Sequence, residues 1–399
     1  MIIMIKKIRL LQDVIIKDKT VIVRCNLDVS IVNGEVVETS KIKAVIPTLE
    51  HLLKNNCKVI ILSHLGNPNG KYSDEFSLMP VRFEIGKLLQ KQLKFANIDQ
   101  CENSVKFMEF GDILLLENLG FSFEETSTSA VIRKNFVKKL SDMADVYVNE
   151  SFGVFGKYAS AYELPVLMKG CAGLAFQNEL LQLNKLKSEV KKPYTVILGG
   201  KDIGNKIEDI SKLLGKVDKM LIGGEIAFSF LKAQNISVGD NFVDFKILNN
   251  IRNFLKAAKK LNTEIFLPLD YIGIDKNNNI VNINTQEIPD GEKALDIGNK
   301  TIKAFKEQIL GSKTLLWYGP LGKYEIKEFS NGTQSLAEMI TLESTQDSFK
   351  VVGGDSTINA LNLLKIKIKR FNHLSNSDRM LLEFLNNKSF EVINRLCEE

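Results

Sequence analysis

The sequence predicts an α/β protein with two domains, each built on a parallel β-sheet covered by helices. Two series of short apolar, β-branched strands alternate with amphipathic stretches along the 399 residues. Continuous apolar strands between helices are typical of parallel sheets buried on both faces. A chain of this length also exceeds one ordinary hydrophobic core. We therefore expect two Rossmann-like domains with parallel sheets, joined by a helical hinge.

The first series of strands lies in the N-terminal half. Its candidate strands are Val21–Cys25, Lys58–Leu62, Ile113–Leu116 and Asp145–Val148. Helical periodicity between them predicts helices that include Ile42–Asn55 and Val81–Lys91. Residues 1–175 are therefore predicted to form the first domain.

A helical stretch and a second series of strands follow. Residues 172–191 have helical periodicity and little glycine, and Pro193 stops the helix because the residue before a proline disfavours helical backbone. We place the hinge at residues 176–192 and the second domain at residues 193–385. The candidate strands of this domain are Tyr194–Leu198, Lys219–Ile222, Glu264–Leu267, Thr314–Trp317 and Lys350–Val352.

Composition and charge exclude several classes of protein. Lys and Arg number 53 against 48 Asp and Glu, a net charge of +5 that is too small to indicate nucleic-acid binding. The sequence contains no apolar run long enough for a membrane span and no signal-peptide pattern. The five cysteines are odd in number and have no CxxC spacing, which favours a reducing cytoplasm. We expect a cytoplasmic protein without nucleic-acid or membrane partners.

Polar or glycine-containing segments follow the strands of the first domain. They are Arg24-Cys25-Asn26-Leu27-Asp28, Ser63-His64-Leu65-Gly66-Asn67-Pro68, Glu117-Asn118-Leu119-Gly120-Phe121 and Asn149-Glu150-Ser151-Phe152-Gly153. In open α/β sheets, ligands bind at the carboxyl ends of the strands, so these segments are candidates for a binding site. For any one of them alone, ordinary turn chemistry is the competing interpretation.

Glycine loops follow the strands of the second domain. Leu198-Gly199-Gly200 is predicted to open a helix with Lys206 in its first turn, where backbone N–H groups can receive a phosphate. Three further loops repeat the pattern: Ile222-Gly223-Gly224, Trp317-Tyr318-Gly319-Pro320-Leu321-Gly322 and Val352-Gly353-Gly354-Asp355-Ser356. The last places an acid and a hydroxyl where a magnesium-bound phosphate could lie. No GxxxxGK[ST] loop is present, which excludes a Walker-type site.

These segments resemble those of the phosphoglycerate kinase family, in the same order. They are VIVRCNLDVS, VIILSHLGNPNGKYSDEFSLMPV, GDILLLEN, ADVYVNESFG, VILGG, KVDKMLIGG, ALDIGNKTI, LLWYGPLG and VVGGDST, spread over residues 8–385. The resemblance implies a first domain that binds 3-phosphoglycerate or 1,3-bisphosphoglycerate and a second that binds ATP or ADP with Mg²⁺, facing each other across a cleft. It also implies a monomer whose tail, residues 386–399, packs on the first domain.

The resemblance assigns substrate binding in the first domain to seven positions. They are Asn26, Asp28, Lys41, His64, Asn67, Gly120 and Lys157. The family has an aspartate and an asparagine, in that order, where this chain has Asn26 and Asp28. It has arginines at the positions of Lys41, Asn67, Gly120 and Lys157. Lys41 is also a catalytic candidate, because the family arginine stabilises the transferring phosphoryl group. Lysine lacks the planar fork with which arginine makes two hydrogen bonds to one anion. Each charged hydrogen bond that is lost costs about 1.5–3 kcal/mol of binding free energy.

The resemblance also assigns the nucleotide site of the second domain. Its positions are Gly199, Gly200, Lys206, Gly223, Gly224, Glu325, Gly353, Gly354, Asp355 and Ser356. Lys206 is implied as a catalytic contact to phosphate, Glu325 as a ribose contact and Asp355 as a magnesium ligand. Departures from the family pattern are Asp202 for a lysine, Asn205 for an aspartate and Glu225 for a glycine. Asp378 stands where the family's last helix receives phosphate; a plain helix cap is the alternative there.

Three functions remain open at this stage. The first is a working phosphoglycerate kinase, supported by resemblance along nearly the whole chain. The second is a catalytically impaired pseudoenzyme with a scaffold or regulatory role, suggested by the altered charges at Lys41, Asn67, Gly120, Asp202 and Asp378. The third is phosphoryl transfer to another anionic substrate, which the altered first-domain site permits.

Overall fold

The computed structural model describes residues 8–154, 156–201, 204, 206–342, 345, 347–377, 379–386 and 391–397. By its internal contacts the chain divides into two compact units. Met1–Gln182 and Lys388–Glu399 form the first unit, and Leu183–Asn387 form the second. Each unit has a six-stranded sheet flanked by helices, so the predicted fold class, two α/β domains with parallel sheets, is confirmed.

The first unit is built on one parallel sheet. Its strands are β1 (Thr20–Arg24), β2 (Ile31–Val32), β3 (Glu35–Val36), β4 (Lys58–Leu62), β5 (Lys94–Ala96), β6 (Ile113–Leu116), β7 (Val146–Asn149) and β8 (Cys171–Ala172). The order across the sheet is β5-β6-β4-β1-β7-β8, and β2 and β3 form a separate antiparallel pair. The central strands β1, β4 and β7 are therefore neighbours, and their carboxyl ends meet at one edge.

The helices of the first unit cover this sheet. They are α1 (Ser40–Lys54), α2 (Met79–Leu89), α3 (Cys101–Lys106), α4 (Ala130–Ser141), α5 (Ala159–Tyr162), α6 (Leu164–Leu167) and α7 (Leu174–Ser188). Helix α1 buries Ile42, Val45, Leu49 and Leu52, which recur at helical spacing, against the core. The division between the units falls within α7.

The second unit repeats the parallel-sheet design. Its strands are β9 (Tyr194–Leu198), β10 (Lys219–Ile222), β11 (Glu264–Phe266), β12 (Tyr271–Ile274), β13 (Ile280–Ile283), β14 (Lys293–Ile297), β15 (Thr314–Tyr318), β16 (Phe349–Gly353) and β17 (His373–Ser375). The main sheet has the order β11-β10-β9-β15-β16-β17, and β13-β12-β14 form a three-stranded antiparallel sheet that the sequence did not predict.

The helices of the second unit are mostly amphipathic. They are α8 (Ile207–Ser211), α9 (Ile226–Ala233), α10 (Leu248–Lys260), α11 (Asn299–Ile309), α12 (Asn331–Ile340), α13 (Asp355–Leu363) and α14 (Arg379–Leu385); α15 (Glu391–Asn394) returns to the first unit. Near this last helix, Arg9 N donates to Leu396 O at 2.9 Å, and the Arg395 guanidinium lies 4.3 Å from the ring centroid of Tyr162.

Two further observations bear on the composition argument. None of the helices in the described part of the chain combines the length and the apolar character that crossing a bilayer requires. Four of the five cysteines, Cys25, Cys57, Cys101 and Cys171, are buried thiols.

Candidate functional site

The first cluster of candidate residues lies at the carboxyl edge of the sheet in the first unit. Asp28, which follows β1, organises it. Its Oδ1 accepts a hydrogen bond from Gly66 N at 2.9 Å, in the loop after β4, and its carbonyl oxygen accepts from Lys41 Nζ at 2.7 Å. Asn26 Oδ1 accepts from Asp28 N at 3.4 Å. The structure therefore brings Asn26, Asp28 and Lys41 together, with Lys41 held almost wholly buried at the start of α1.

His64 lies in the same cluster, two residues after β4. Its ring stacks on that of Tyr158, with centroids 5.2 Å apart and planes 19° apart. Burial, together with the cations of Arg24 and Lys41, lowers the pKa of His64 to about 3. The imidazole is therefore neutral at physiological pH, and His64 can bind an anion through a ring N–H but not through a positive charge.

Arg24, the last residue of β1, is a member of this cluster that the sequence analysis did not assign. It is fully buried, and its Nη2 lies 2.9 Å from His64 Nδ1. Its Nε donates to Ser160 Oγ at 2.6 Å, and Ser160 Oγ in turn donates to Glu125 Oε1 at 2.5 Å. Glu125, also fully buried, lies 4.0 Å from the guanidinium. An arginine closing an apolar strand was the visible clue, because a buried charge requires partners.

Gly120 and Asn67 lie on neighbouring loops. Gly120 N donates to Asn118 Oδ1 at 2.8 Å. A Cβ at position 120 would lie 2.9 Å from that oxygen and 3.0 Å from Pro68 Cγ, so the local packing is built around the glycine. Asn67, beside Pro68 in the chain, is exposed.

Lys157 stands apart from the buried cluster. Its side chain is exposed, and its Nζ lies 5.5 Å from the ring centroid of Tyr162. Lys157 precedes Tyr158, the residue stacked on His64, so the backbone brings it close in sequence to the cluster. The Lys157 ammonium can bind a ligand only if the side chain moves away from the ring of Tyr162.

The second group of candidate residues surrounds a cavity of about 240 Å³ in the second unit. It opens at the carboxyl ends of β9, β10, β15 and β16, which are the strands that carry the glycine loops. Predicted residues that line it are Gly199, Gly200, Lys206, Gly224, Glu325, Gly354 and Ser356. The remaining predicted residues, Gly223, Gly353 and Asp355, belong to the same loops as lining residues, and Asp355 begins α13.

The glycine loops touch each other through their backbones. Gly200 N donates to Pro320 O at 2.6 Å, and Gly199 N donates to Tyr318 O at 2.9 Å. Gly200 has a φ of +78°, in the left-handed region that favours glycine. A Cβ at Gly199 would collide with the carbonyl oxygen of Pro320. These close approaches explain why the loops after β9 and β15 carry glycines.

Four lysines line the cavity, Lys201, Lys206, Lys293 and Lys323, and the first two follow β9. Lys206 Nζ lies 5.0 Å from the ring centroid of Tyr318, whereas Lys201 Nζ lies 3.8 Å from Glu225 Oε1. The prediction that Lys206 lies in the first turn of a helix was wrong, because α8 begins at Ile207 and Lys206 immediately precedes it.

The remaining departures from the family pattern divide into two groups. Asp202, Asn205 and Asp378 lie outside the described residues. Glu225 immediately precedes α9 and lines the cavity, where its carboxylate pairs with Lys201.

Sequence reasoning missed the aromatic walls of the cavity. Tyr318, Phe228 and Tyr271 line it, and the last two rings are 6.1 Å apart. Tyr318 was visible within a glycine loop but had no assigned role. Phe228 and Tyr271 come from α9 and β12, and only the fold places an antiparallel strand beside the glycine loops.

Asp296, at the end of β14, is a buried acid that also lines the cavity. Its Oδ2 accepts from Gly332 N at 2.7 Å and its Oδ1 from Ile297 N at 2.9 Å. Burial raises the pKa of Asp296 to about 7, against the opposing effect of these two hydrogen bonds. The residue anchors the start of α12 to the cavity wall.

Comparison with known proteins agrees with the arrangement of loops. The phosphoglycerate kinase family model matches residues 11–388. The chain belongs to the phosphoglycerate kinase family. A phosphoglycerate kinase of Thermosipho africanus is 36% identical over 391 residues, which are 96% of this chain and 96% of that protein. One of Clavibacter michiganensis is 35% identical, over 94% of this chain and 95% of that protein.

Solved structures of phosphoglycerate kinases show the same fold. The enzyme of Coxiella burnetii superposes with a TM-score of 0.80 at 28% identity, covering 98% of both chains. The enzyme of Pyrococcus horikoshii superposes with a TM-score of 0.87, covering 97% of this chain and 98% of that one. At 24% identity, the second comparison concerns the fold alone. Family membership over the whole length supports a phosphotransferase rather than the pseudoenzyme alternative.

Proposed function

We propose that this chain transfers a phosphoryl group reversibly between 1,3-bisphosphoglycerate and ADP, giving 3-phosphoglycerate and ATP. The observation that carries the proposal is the cavity of the second unit, where four glycine loops and Lys206 surround a space at the strand ends. Glycines let a ligand approach the backbone closely, and a lysine beside them supplies positive charge, so the cavity suits a nucleotide's phosphates. Phosphoryl transfer depends on positioning and charge neutralisation, which such a site can provide.

In the first unit, the proposal assigns the phosphoglycerate to the cluster around Asp28. Lys41 supplies the positive charge that stabilises the transferring phosphoryl group, and the neutral His64 ring donates one hydrogen bond. Asn26 adds an amide, with Lys157 and Asn67 as exposed contacts at the rim. The cluster holds less positive charge than an arginine set would, so we expect weaker substrate binding and not loss of the reaction.

In the second unit, the proposal assigns the nucleotide phosphates to Lys206 and the glycine loops, and the ribose to Glu325. Asp355 would hold Mg²⁺. The described residues contain no cluster of three or more His, Cys, Asp or Glu side chains for a metal. One carboxylate fits magnesium in such a site, because this ion takes few protein ligands and completes its shell with phosphate oxygens and water. Bound magnesium would neutralise charge on the phosphates.

The proposal extends to the assembly and location of the protein. Each set of residues comes from a single chain, so a monomer suffices. Four buried cysteine thiols are compatible with work in a reducing cytoplasm. We keep residues 176–192, most of α7 and the segment after it, as the proposed hinge.

The proposal is tested by following ADP production from ATP and 3-phosphoglycerate with a coupled assay. We expect saturable turnover that depends on both substrates and disappears when EDTA removes magnesium. A Lys41→Met variant, which removes the charge but keeps most of the side chain, is the matched control and should be at least tenfold slower. Turnover equal to that of the control would contradict the proposed function.

A further inference from the structure

The side chain of Arg24 reaches His64 from inside the protein. Its Nη2 lies 2.9 Å from His64 Nδ1; Arg24 is fully buried and His64 is half-buried. A guanidinium carries donors only and keeps its proton at any pH relevant to folding. In this contact Arg24 must therefore donate, and His64 Nδ1 must accept.

We infer that Arg24 is a positioning residue that fixes His64 as the Nε2–H tautomer, so that His64 presents one N–H donor to the anionic substrate. A ring nitrogen that accepts from Arg24 carries no proton. The neutral ring then carries its proton on Nε2, the nitrogen on the other side of the ring. This inference rests on the proposed function only for the identity of the anion, a phosphoglycerate.

Three partners hold Arg24 in this role: Ser160, Glu125 and the carbonyl oxygen of Cys25, which accepts a hydrogen bond from Arg24 Nη1. Ser160 Oγ accepts from Arg24 Nε at 2.6 Å, and the Glu125 carboxylate balances the buried charge from 4.0 Å. Ser160 N also donates to Glu125 Oε2 at 3.0 Å, which ties the carboxylate to the start of α5. The guanidinium is thus oriented through Nε and Nη1, and Nη2 donates to His64 Nδ1.

The orientation of the His64 ring is fixed as well as its tautomer. Tyr158 stacks on it with an interplanar angle of 19°. The charged groups that act on the ring are Arg24 and Lys41, and both, like burial, oppose its protonation. The neutral form resolves a conflict in this site, because an imidazolium would need Nδ1 to donate toward a guanidinium that also donates.

The tautomer is measurable by nitrogen-15 NMR of the side chains in the full-length protein. The chain has three histidines, His51, His64 and His373, so a His64→Gln variant identifies the signal. We expect an unprotonated Nδ1 and a protonated Nε2 between pH 6 and 8. A protonated Nδ1, or a doubly protonated ring in that range, would overturn the inference whatever the enzyme's activity.

Two variants separate positioning from general loss of structure. Arg24→Met combined with Glu125→Gln removes both buried charges together, and so avoids leaving one of them unpaired. We expect a mixture of tautomers in this double variant. Ser160→Ala, which removes a partner of Arg24 but not its contact with His64, should keep the wild-type tautomer. If the double variant fails to fold, the wild-type spectrum still decides the inference.

The substrate part of the inference is tested by the KM for 3-phosphoglycerate. The amide of His64→Gln can place a donor near Nε2, whereas that of His64→Asn places it near Nδ1. We expect the KM of the asparagine variant to exceed that of the glutamine variant about tenfold, as for one lost hydrogen bond. Equal KM values would overturn the donor role. Absence of 3-phosphoglycerate binding with the predicted tautomer present would instead contradict the proposed function.

Discussion

Removing the charge of Lys206 tests the assignment of the nucleotide phosphates most sharply. Lys206→Met keeps the length of the side chain and deletes the ammonium, and Lys201→Met is the matched control on the same loop. Lys206 is half-buried and rests on the Tyr318 ring, whereas the Lys201 side chain is 72% exposed and paired with Glu225. We therefore expect Lys206, and not Lys201, to contact the nucleotide phosphates.

The expected magnitudes follow from these environments. A charged hydrogen bond to phosphate contributes about 1.5–3 kcal/mol, so Lys206→Met should raise the KM for magnesium-ATP about 10- to 150-fold. An exposed lysine already near a carboxylate contributes about 0–1 kcal/mol, so Lys201→Met should change the KM less than about fivefold. Steady-state kinetics at saturating 3-phosphoglycerate measures both. Equal effects of the two substitutions, or no effect of Lys206→Met, would refute the assignment.

Three further predictions follow from particular contacts. Gly120→Ala should destabilise the protein by about 1–3 kcal/mol, because its Cβ would crowd Pro68, and urea denaturation would show this; unchanged stability would contradict the packing argument. Tyr318→Leu should raise the KM for magnesium-ATP about threefold or more, whereas Tyr318→Phe keeps the ring under Lys206 and should not. Because the pKa of Asp296 is raised to about 7, its protonation stabilises the fold below about pH 4, and this contribution is lost as the pH rises through 7. Denaturation at several pH values should show wild type losing about 4 kcal/mol relative to Asp296→Asn between pH 4 and pH 8, and parallel pH profiles would contradict this.

The parallel strands could be predicted from the sequence because strands buried on both faces carry continuous apolar residues. Lys58–Leu62 and Tyr194–Leu198 have the predicted bounds, and β1 differs by one residue. The antiparallel sheet β13-β12-β14 was not predictable in this way. Its strand Ile280–Ile283 is largely exposed and its strand Tyr271–Ile274 contains a glycine, so neither has a strong apolar pattern.

The candidate site was predictable where it depends on strand ends and not where it depends on distant pairing. Asn26, Asp28 and His64 follow adjacent strands, so the topology of a parallel sheet brings them together. The role of Arg24 depends on Glu125 and Ser160, which lie far along the chain and have no motif in common with it. No periodicity in the sequence reports such a buried network.

The central claim, direct phosphoryl transfer to 3-phosphoglycerate, is tested most directly by tracing the γ-phosphate of ATP. The protein would be incubated with γ-labelled magnesium-ATP and 3-phosphoglycerate in the presence of hydroxylamine, which converts the acyl phosphate to a hydroxamate and expels its labelled phosphate. Hydroxamate and labelled phosphate would each be counted. We predict that the label leaves ATP through the acyl phosphate, with stoichiometric hydroxamate formed from 3-phosphoglycerate, and that little label leaves ATP when 3-phosphoglycerate is omitted. Label released as free phosphate at the same rate with or without 3-phosphoglycerate, and no hydroxamate, would contradict the claim.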